Sequence, residues 1–192
     1  MPRARPGFNN SRWQSLRRIL AQPSPRSYSH RRRNGVPESH ARIAEPAWPA
    51  ELDDVRSLMR AFVAWHRARH VEDIALIDRY FGQRAFDEEL AGLPGKYARP
   101  HGRLLLAYVD EEPAGCVALR DLGDGNCEMK RMFVPETFRG HGVGLAERII
   151  AEGKEAGYRA MRLDTSRRQS EAMRLYERAG FRCIPPTTWP TT

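Results

Sequence analysis

Arg139-Gly140-His141-Gly142-Val143-Gly144 decides the reading of this chain. It follows a strand-like run at residues 127–134 and opens a helix-like run at residues 143–156. Three alternate glycines at a helix start leave backbone N–H groups uncovered and aimed outward. The helix dipole adds partial positive charge there, so the stretch is a cradle for an anion such as a diphosphate.

Working outward from the glycines, apolar spacing and turn residues set the order of elements. Residues 41–47 read as a short strand stopped by Pro46 and Pro49. Leu52, Val55, Leu58, Met59, Phe62 and Val63 fall at helical spacing within residues 50–69. Residues 72–80 and 84–91 read as a second helix broken near Gly82. Strands follow at 103–109, 114–119 and 127–134, joined by turns at Asp110-Glu111-Glu112-Pro113 and Gly123-Asp124-Gly125-Asn126. After the glycine helix come a strand at 160–164, a helix at 170–179 capped by Gly180, and a short strand at 181–184. There is no internal repeat.

The chain has 192 residues, which suits one domain and a tail, and at 41% hydrophobic it can bury a core. No apolar run reaches the ~18 residues a membrane span needs. The net charge of +8 is unevenly placed: residues 1–37 hold nine arginines and no acid, while the rest of the chain is nearly balanced. The basic character therefore belongs to a tail, residues 1–40, and the body to residues 41–192. In the tail only Trp13, Leu16, Ile19 and Leu20 hint at an amphipathic turn or two. The composition fits a disordered extension, an upstream start codon, a transit peptide, or an arm for RNA or an anionic membrane surface. Cys116, Cys127 and Cys183 make an odd count without a CxxC pair, read as reduced thiols of a cytoplasmic protein.

Two nucleotide-type cofactors compete for the glycines. Asp164, 20 residues after Gly144, could bind the ribose of a dinucleotide. Against this, the pattern is Gly-x-Gly-x-Gly. Residues 135–139 separate strand from glycines, and no further βα units follow. Arg139-x-x-Gly142-x-Gly144 instead resembles the acetyl-CoA pyrophosphate signature of the GNAT N-acetyltransferase superfamily. Glu128-Met129-Lys130-Arg131-Met132-Phe133-Val134 is similar to that family's fourth strand, and Leu175-Tyr176-Glu177-Arg178-Ala179-Gly180-Phe181 to its last helix and following strand. The resemblance spans about residues 41–186.

It implies an α/β fold of the α+β type. The mixed central sheet would hold an antiparallel meander and a splayed parallel strand pair, flanked by about four helices. It implies an enzyme moving an acetyl group from acetyl-CoA, its cosubstrate, to a primary amine by direct attack in a ternary complex. Met132, Phe133 and Val134 would offer backbone groups to the pantetheine arm, and the N–H groups from Arg139 through Gly140, His141, Gly142, Val143 and Gly144 to Leu145 would hold the diphosphate. Gln169 stands where many relatives bond the arm with an asparagine. Glu128 would be the general base through ordered water, the Met132 N–H the oxyanion donor, and Tyr176 the acid that protonates the departing thiolate. Glu128 could equally be a charge at a strand end, and Tyr176 a packed aromatic.

The acceptor site would lie among the first helices, with His66, His70, Tyr80, Tyr97 and His101 as polar candidates. His66 and His70, at i and i+4, could share a metal, but no third ligand is evident and none is expected. The family usually adds one more strand beside its fifth, and residues 183–192, with Pro190, are too short for it. That leaves an open sheet edge, an inactive truncated relative, or a partner chain filling the edge. A non-catalytic CoA-binding or RNA-tethering module is the other reading. The protein is expected to be a monomer or homodimer.

Overall fold

A computed structural model describes residues 13–19, 41–139 and 144–184, the first of these as backbone. Its strands are β1 (Trp13–Ile19), β2 (Ala41–Ala44), β3 (Arg103–Val109), β4 (Glu112–Gly123), β5 (Asn126–Phe133), β6 (Ala160–Ser166) and β7 (Arg182–Ile184). Its helices are α1 (Leu52–Arg69), α2 (Ile74–Phe81), α3 (Gln83–Ala91), α4 (Leu145–Glu155) and α5 (Ser170–Arg178). The expected broken second helix is α2 and α3, parted at Gly82, whose φ of +46° suits a residue without a Cβ.

The strands form one sheet in the order β2-β3-β4-β5-β6-β1-β7. β2 to β5 are antiparallel, and β5 and β6 are parallel. The hairpin turn after β3 has Asp110 and Glu111 at positive φ, and the turn after β4 has Gly123, Asp124 and Gly125 there. These are the left-handed positions that tight hairpins demand. β3 is buried along its whole length, so its side chains feed cores on both faces of the sheet. Leu105, Ala107 and Val109 meet Leu145 and Ile149 of α4 on one face. Leu104, Leu106 and Tyr108 meet Val55 and Met59 of α1, Ile77 of α2 and Leu90 of α3 on the other.

One expectation is corrected. Trp13–Ile19, assigned to the tail, is a strand within the sheet and pairs antiparallel with β6 from Trp13↔Ser166 to Ile19↔Ala160. Its other edge pairs with β7 through Ser15↔Ile184, Leu16↔Cys183 and Arg17↔Arg182. So the body does not start at residue 41, and the edge of β6 is covered by a segment from the other end of the chain. The seven residues carry no clean polar–apolar alternation. What makes them a strand is the unpaired edge of β6, about 150 residues away, a tertiary effect that overrides local pattern. Residues 1–12 and 20–40, the rest of that predicted tail, lie outside the described residues, as do residues 185–192.

Candidate functional site: a gap between two parallel strands

β5 and β6 pair only through Asn126↔Ala160, Cys127↔Met161 and Glu128↔Arg162. Beyond that point β5 continues to Phe133 and β6 to Ser166 without pairing, so the two strands part. A bulge in β5 accompanies the parting. Cys116 of β4 faces Phe133 and Ala118 faces Lys130, so one residue of β4 opposes two of β5, and Arg131 sits at φ +55°. An arginine in the left-handed region needs an anchor. Its guanidinium supplies one, with Nε donating to Glu89 Oε1 at 2.7 Å and Nη2 to Oε2 at 2.9 Å, between the rings of Phe81 and Phe86. Burial pushes the Glu89 carboxyl up, but the hydrogen bond and charge of Arg131 outweigh it and bring it down to about 2. The pair ties α3 to the bend in β5.

The backbone of β5 past Glu128 therefore borders the gap, and Met132, Phe133 and Val134 stand at its open end. Phe133 is buried against Phe62 of α1, while Met132 and Val134 are half-buried. Gly115 of β4 lies behind this bend. A Cβ there would stand 2.7 Å from the Phe133 carbonyl oxygen and 2.9 Å from Leu145 Cδ1. Glycine is what lets β4, β5 and the start of α4 close up together. α4 begins after Gly144 at φ +64°, and no side chain caps its first amides. Gly140, His141, Gly142 and Val143 of the expected cradle lie outside the described residues. The other three members of that set are described: Gly144 precedes α4, Leu145 is buried, and Arg139 is engaged by Glu136, Glu171 and the Val134 carbonyl.

Tyr176 of α5 reaches the same place from the opposite side. Its hydroxyl donates to Met132 Sδ at 3.9 Å, and burial pushes its phenol up to about 12. Gln169, at the start of α5, is held at both ends of its amide. Oε1 accepts from Thr165 Oγ1 at 2.7 Å, and Nε2 lies 3.1 Å from His66 Nε2. With the amide so oriented, Gln169 donates and His66 accepts, which makes His66 neutral with its proton on Nδ1. Burial, helped by the neighbouring His70, pulls His66 down to about 4, in keeping with that state.

Glu128 lies in the paired half of β5. It is 7% exposed, with Arg120 Nε donating at 2.6 Å and Lys130 Nζ at 3.4 Å. Lys130 in turn donates to Tyr80 Oη at 3.1 Å. Both carboxylate oxygens thus face cations. Cys116 and Cys127 are buried, and burial pushes each thiol up to about 12, far from a thiolate nucleophile. Among the described residues there is no group of three side chains able to hold a metal ion. No helix of the described residues is long and apolar enough to cross a membrane.

Sequence reasoning missed three groups here: Arg131 with Glu89, Arg120 beside Glu128, and His66 on Gln169. Arg120 beside Glu128 needs the strand register across the turn at residues 123–126. The other two need the packing of helices on the sheet.

A parallel strand pair that opens beside a glycine-started helix matches the gap expected from the GNAT resemblance. The model of the Acetyltransferase (GNAT) family matches residues 13–181, and the chain belongs to that family. An uncharacterized N-acetyltransferase of Schizosaccharomyces pombe is 35% identical over 152 residues, covering 77% of this chain and 86% of that one. Among solved structures, a GNAT-family acetyltransferase of Staphylococcus aureus superposes with a TM-score of 0.62 at 21% identity, covering 80% of this chain and 92% of that one. The PaiA N-acetyltransferase of Thermoplasma acidophilum, solved in complex with coenzyme A, gives 0.59 at 17% identity, covering 78% and 94%. The protein is thus an acyltransferase of a family that uses acetyl-CoA.

Proposed function

We propose that this protein transfers an acetyl group from acetyl-CoA to a primary amine by direct attack in a ternary complex. The carrying observation is the parting of β5 and β6 beyond Glu128 and Arg162, with Tyr176 at Met132 beside the gap. The pantetheine arm lies along residues 132–134 as an added strand, and the diphosphate rests at the start of α4. The Met132 N–H holds the carbonyl oxygen as negative charge gathers on it, an interaction worth ~3–4 kcal/mol. Tyr176, protonated throughout the neutral range, delivers a proton to the departing sulfur. Gln169 supports the arm with the one amide hydrogen that His66 leaves over. Glu128 enters as an ion-paired anchor of the strands, since Arg120 and Lys130 occupy its oxygens.

Burial of Cys116 and Cys127 supports a path without an acyl-enzyme. The test is binding followed by thermal unfolding: acetyl-CoA at 100 times its dissociation constant adds ~2.7 kcal/mol to the stability of a binder. No shift with acetyl-CoA at millimolar concentration would overturn the reading.

A further inference from the structure

Below neutral Gln169-bound His66, one helical turn along α1, lies a cleft lined by His66, His70, Asp73, Leu76, Ile77 and Ser166. It opens where β6 ends, on the face of the sheet that carries α1 and α2. His70 is 7% exposed, and its Nε2 is buried without a hydrogen bond among the described residues. Leaving a buried imidazole nitrogen unpaired is costly, and native proteins rarely do so without a use for it. The other polar side chains of the cleft each have a partner. His66 holds Gln169. Asp73 Oδ2 accepts from Arg168 Nε at 2.9 Å, and Glu72 Oε1 meets Arg168 Nη1 at 2.6 Å. Ser166 Oγ accepts from the Arg168 N–H. The Trp65 ring stands edge-on to His70 at 6.0 Å, and Arg69 lies over that ring.

We propose that this cleft receives the acceptor amine and that His70 Nε2 is the general base that takes its proton. The proposal rests on the acyl-transfer reading. An ammonium donor suits the site, because the buried His70 Nε2 has no hydrogen bond among the described residues and can accept one. The cleft is small, so the acceptor presents a slender aliphatic amine.

The step balances without further reactants. The acceptor ammonium gives one proton to His70 Nε2. Its freed lone pair forms the C–N bond to the acetyl carbon, and the C–S bond breaks as the carbonyl re-forms. Tyr176 Oη gives its proton to the departing sulfur. The surplus proton on the new amide nitrogen returns through solvent to the phenolate, and that on His70 leaves to solvent.

The test compares two nucleophiles on the full chain, with coenzyme A release as the readout. n-Butylamine is protonated at neutral pH and needs a base, whereas hydroxylamine is largely neutral and does not. The expected result for His70→Gln is a ~10²-fold loss in kcat/KM with n-butylamine. The loss with hydroxylamine stays within about threefold, and the acidic limb of the n-butylamine pH profile disappears. His70→Asn serves as the second variant if His70→Gln does not fold. Equal losses with both nucleophiles would assign His70 a structural role and overturn the proposal. So would a change in KM alone, or the nucleophile-selective loss appearing in Glu128→Gln instead. Wild type that binds acetyl-CoA but acetylates neither nucleophile also overturns it. Wild type that does not bind acetyl-CoA overturns the underlying acyl-transfer reading instead.

Discussion

From β2 to β6, every strand hydrogen-bonds to the strand that follows it in the chain; beyond β6, the sheet continues with the first strand and then the last. The near side closes two tight hairpins and buries β3 on both faces. The far side is gathered from residues 13–19, 160–166 and 182–184, and among the described residues β7 has no strand partner except β1. The near side is built by local pairing, while the far side exists only after distant segments meet. The gap proposed to take acetyl-CoA lies on the boundary between them, so its two walls have different origins and different vulnerabilities.

The sharpest way to break this comparison is to delete residues 1–19. β6 then loses a seven-residue partner, and β7 loses its anchor. Stability should fall by more than about 4 kcal/mol in urea unfolding, a loss in the exceptional class for a local change. Adding a peptide of residues 11–20 should restore part of it. An unchanged midpoint would show that the far side stands without β1. On the near side, Arg131→Met removes the bidentate partner of buried Glu89, leaving it Lys96 and Tyr97, and should cost about 3 kcal/mol in the same assay. The bulge should relax with it, so acetyl-CoA binding should weaken as well.

Acid should reach the boundary next. His66 is neutral in the folded protein at about 4, below its ordinary 6.5, so the unfolded chain binds the proton first. Its contribution is complete above pH 6.5 and is lost as pH falls toward 4, about 3 kcal/mol in all. Glu89, held at about 2, adds a further loss only below its ordinary 4.5. In His66→Gln the slope of stability between pH 6.5 and 4 should flatten. Tyr176→Phe should lower kcat ~10²-fold with acetyl-CoA binding intact, which separates proton delivery from packing. Gly115→Ala forces a Cβ against the Phe133 carbonyl and should cost about 1–3 kcal/mol, read as a drop in thermal midpoint.

The near side was legible because its instructions are local. Gly123-Asp124-Gly125-Asn126 gives a turn, and residues 103–109 were placed to the residue. Gly82 marked the helix break, and the glycines marked the start of α4, which begins at Leu145, two residues after the expected Val143. The far side was not legible, because Trp13, Leu16 and Ile19 show no period of two and gain their conformation from β6. The site divides the same way. Met132 and Tyr176 were reachable from their motifs, and the structure brings them together. The grip of Arg120 and Lys130 on Glu128 appears only once strand register is known. The burial of His70 Nε2 appears only once α1 is packed.

The place of β1 also sets a clock. On the ribosome, Trp13 emerges before its partner Ser166, which is 153 residues behind it. At ~5–20 residues per second, β1 waits roughly 8–30 s for its seat, while the near side can already fold. For that interval the nascent chain carries an unpaired strand, and the gap proposed to take acetyl-CoA has one wall. The second wall thus settles only once β6 has been made and β1 pairs beside it.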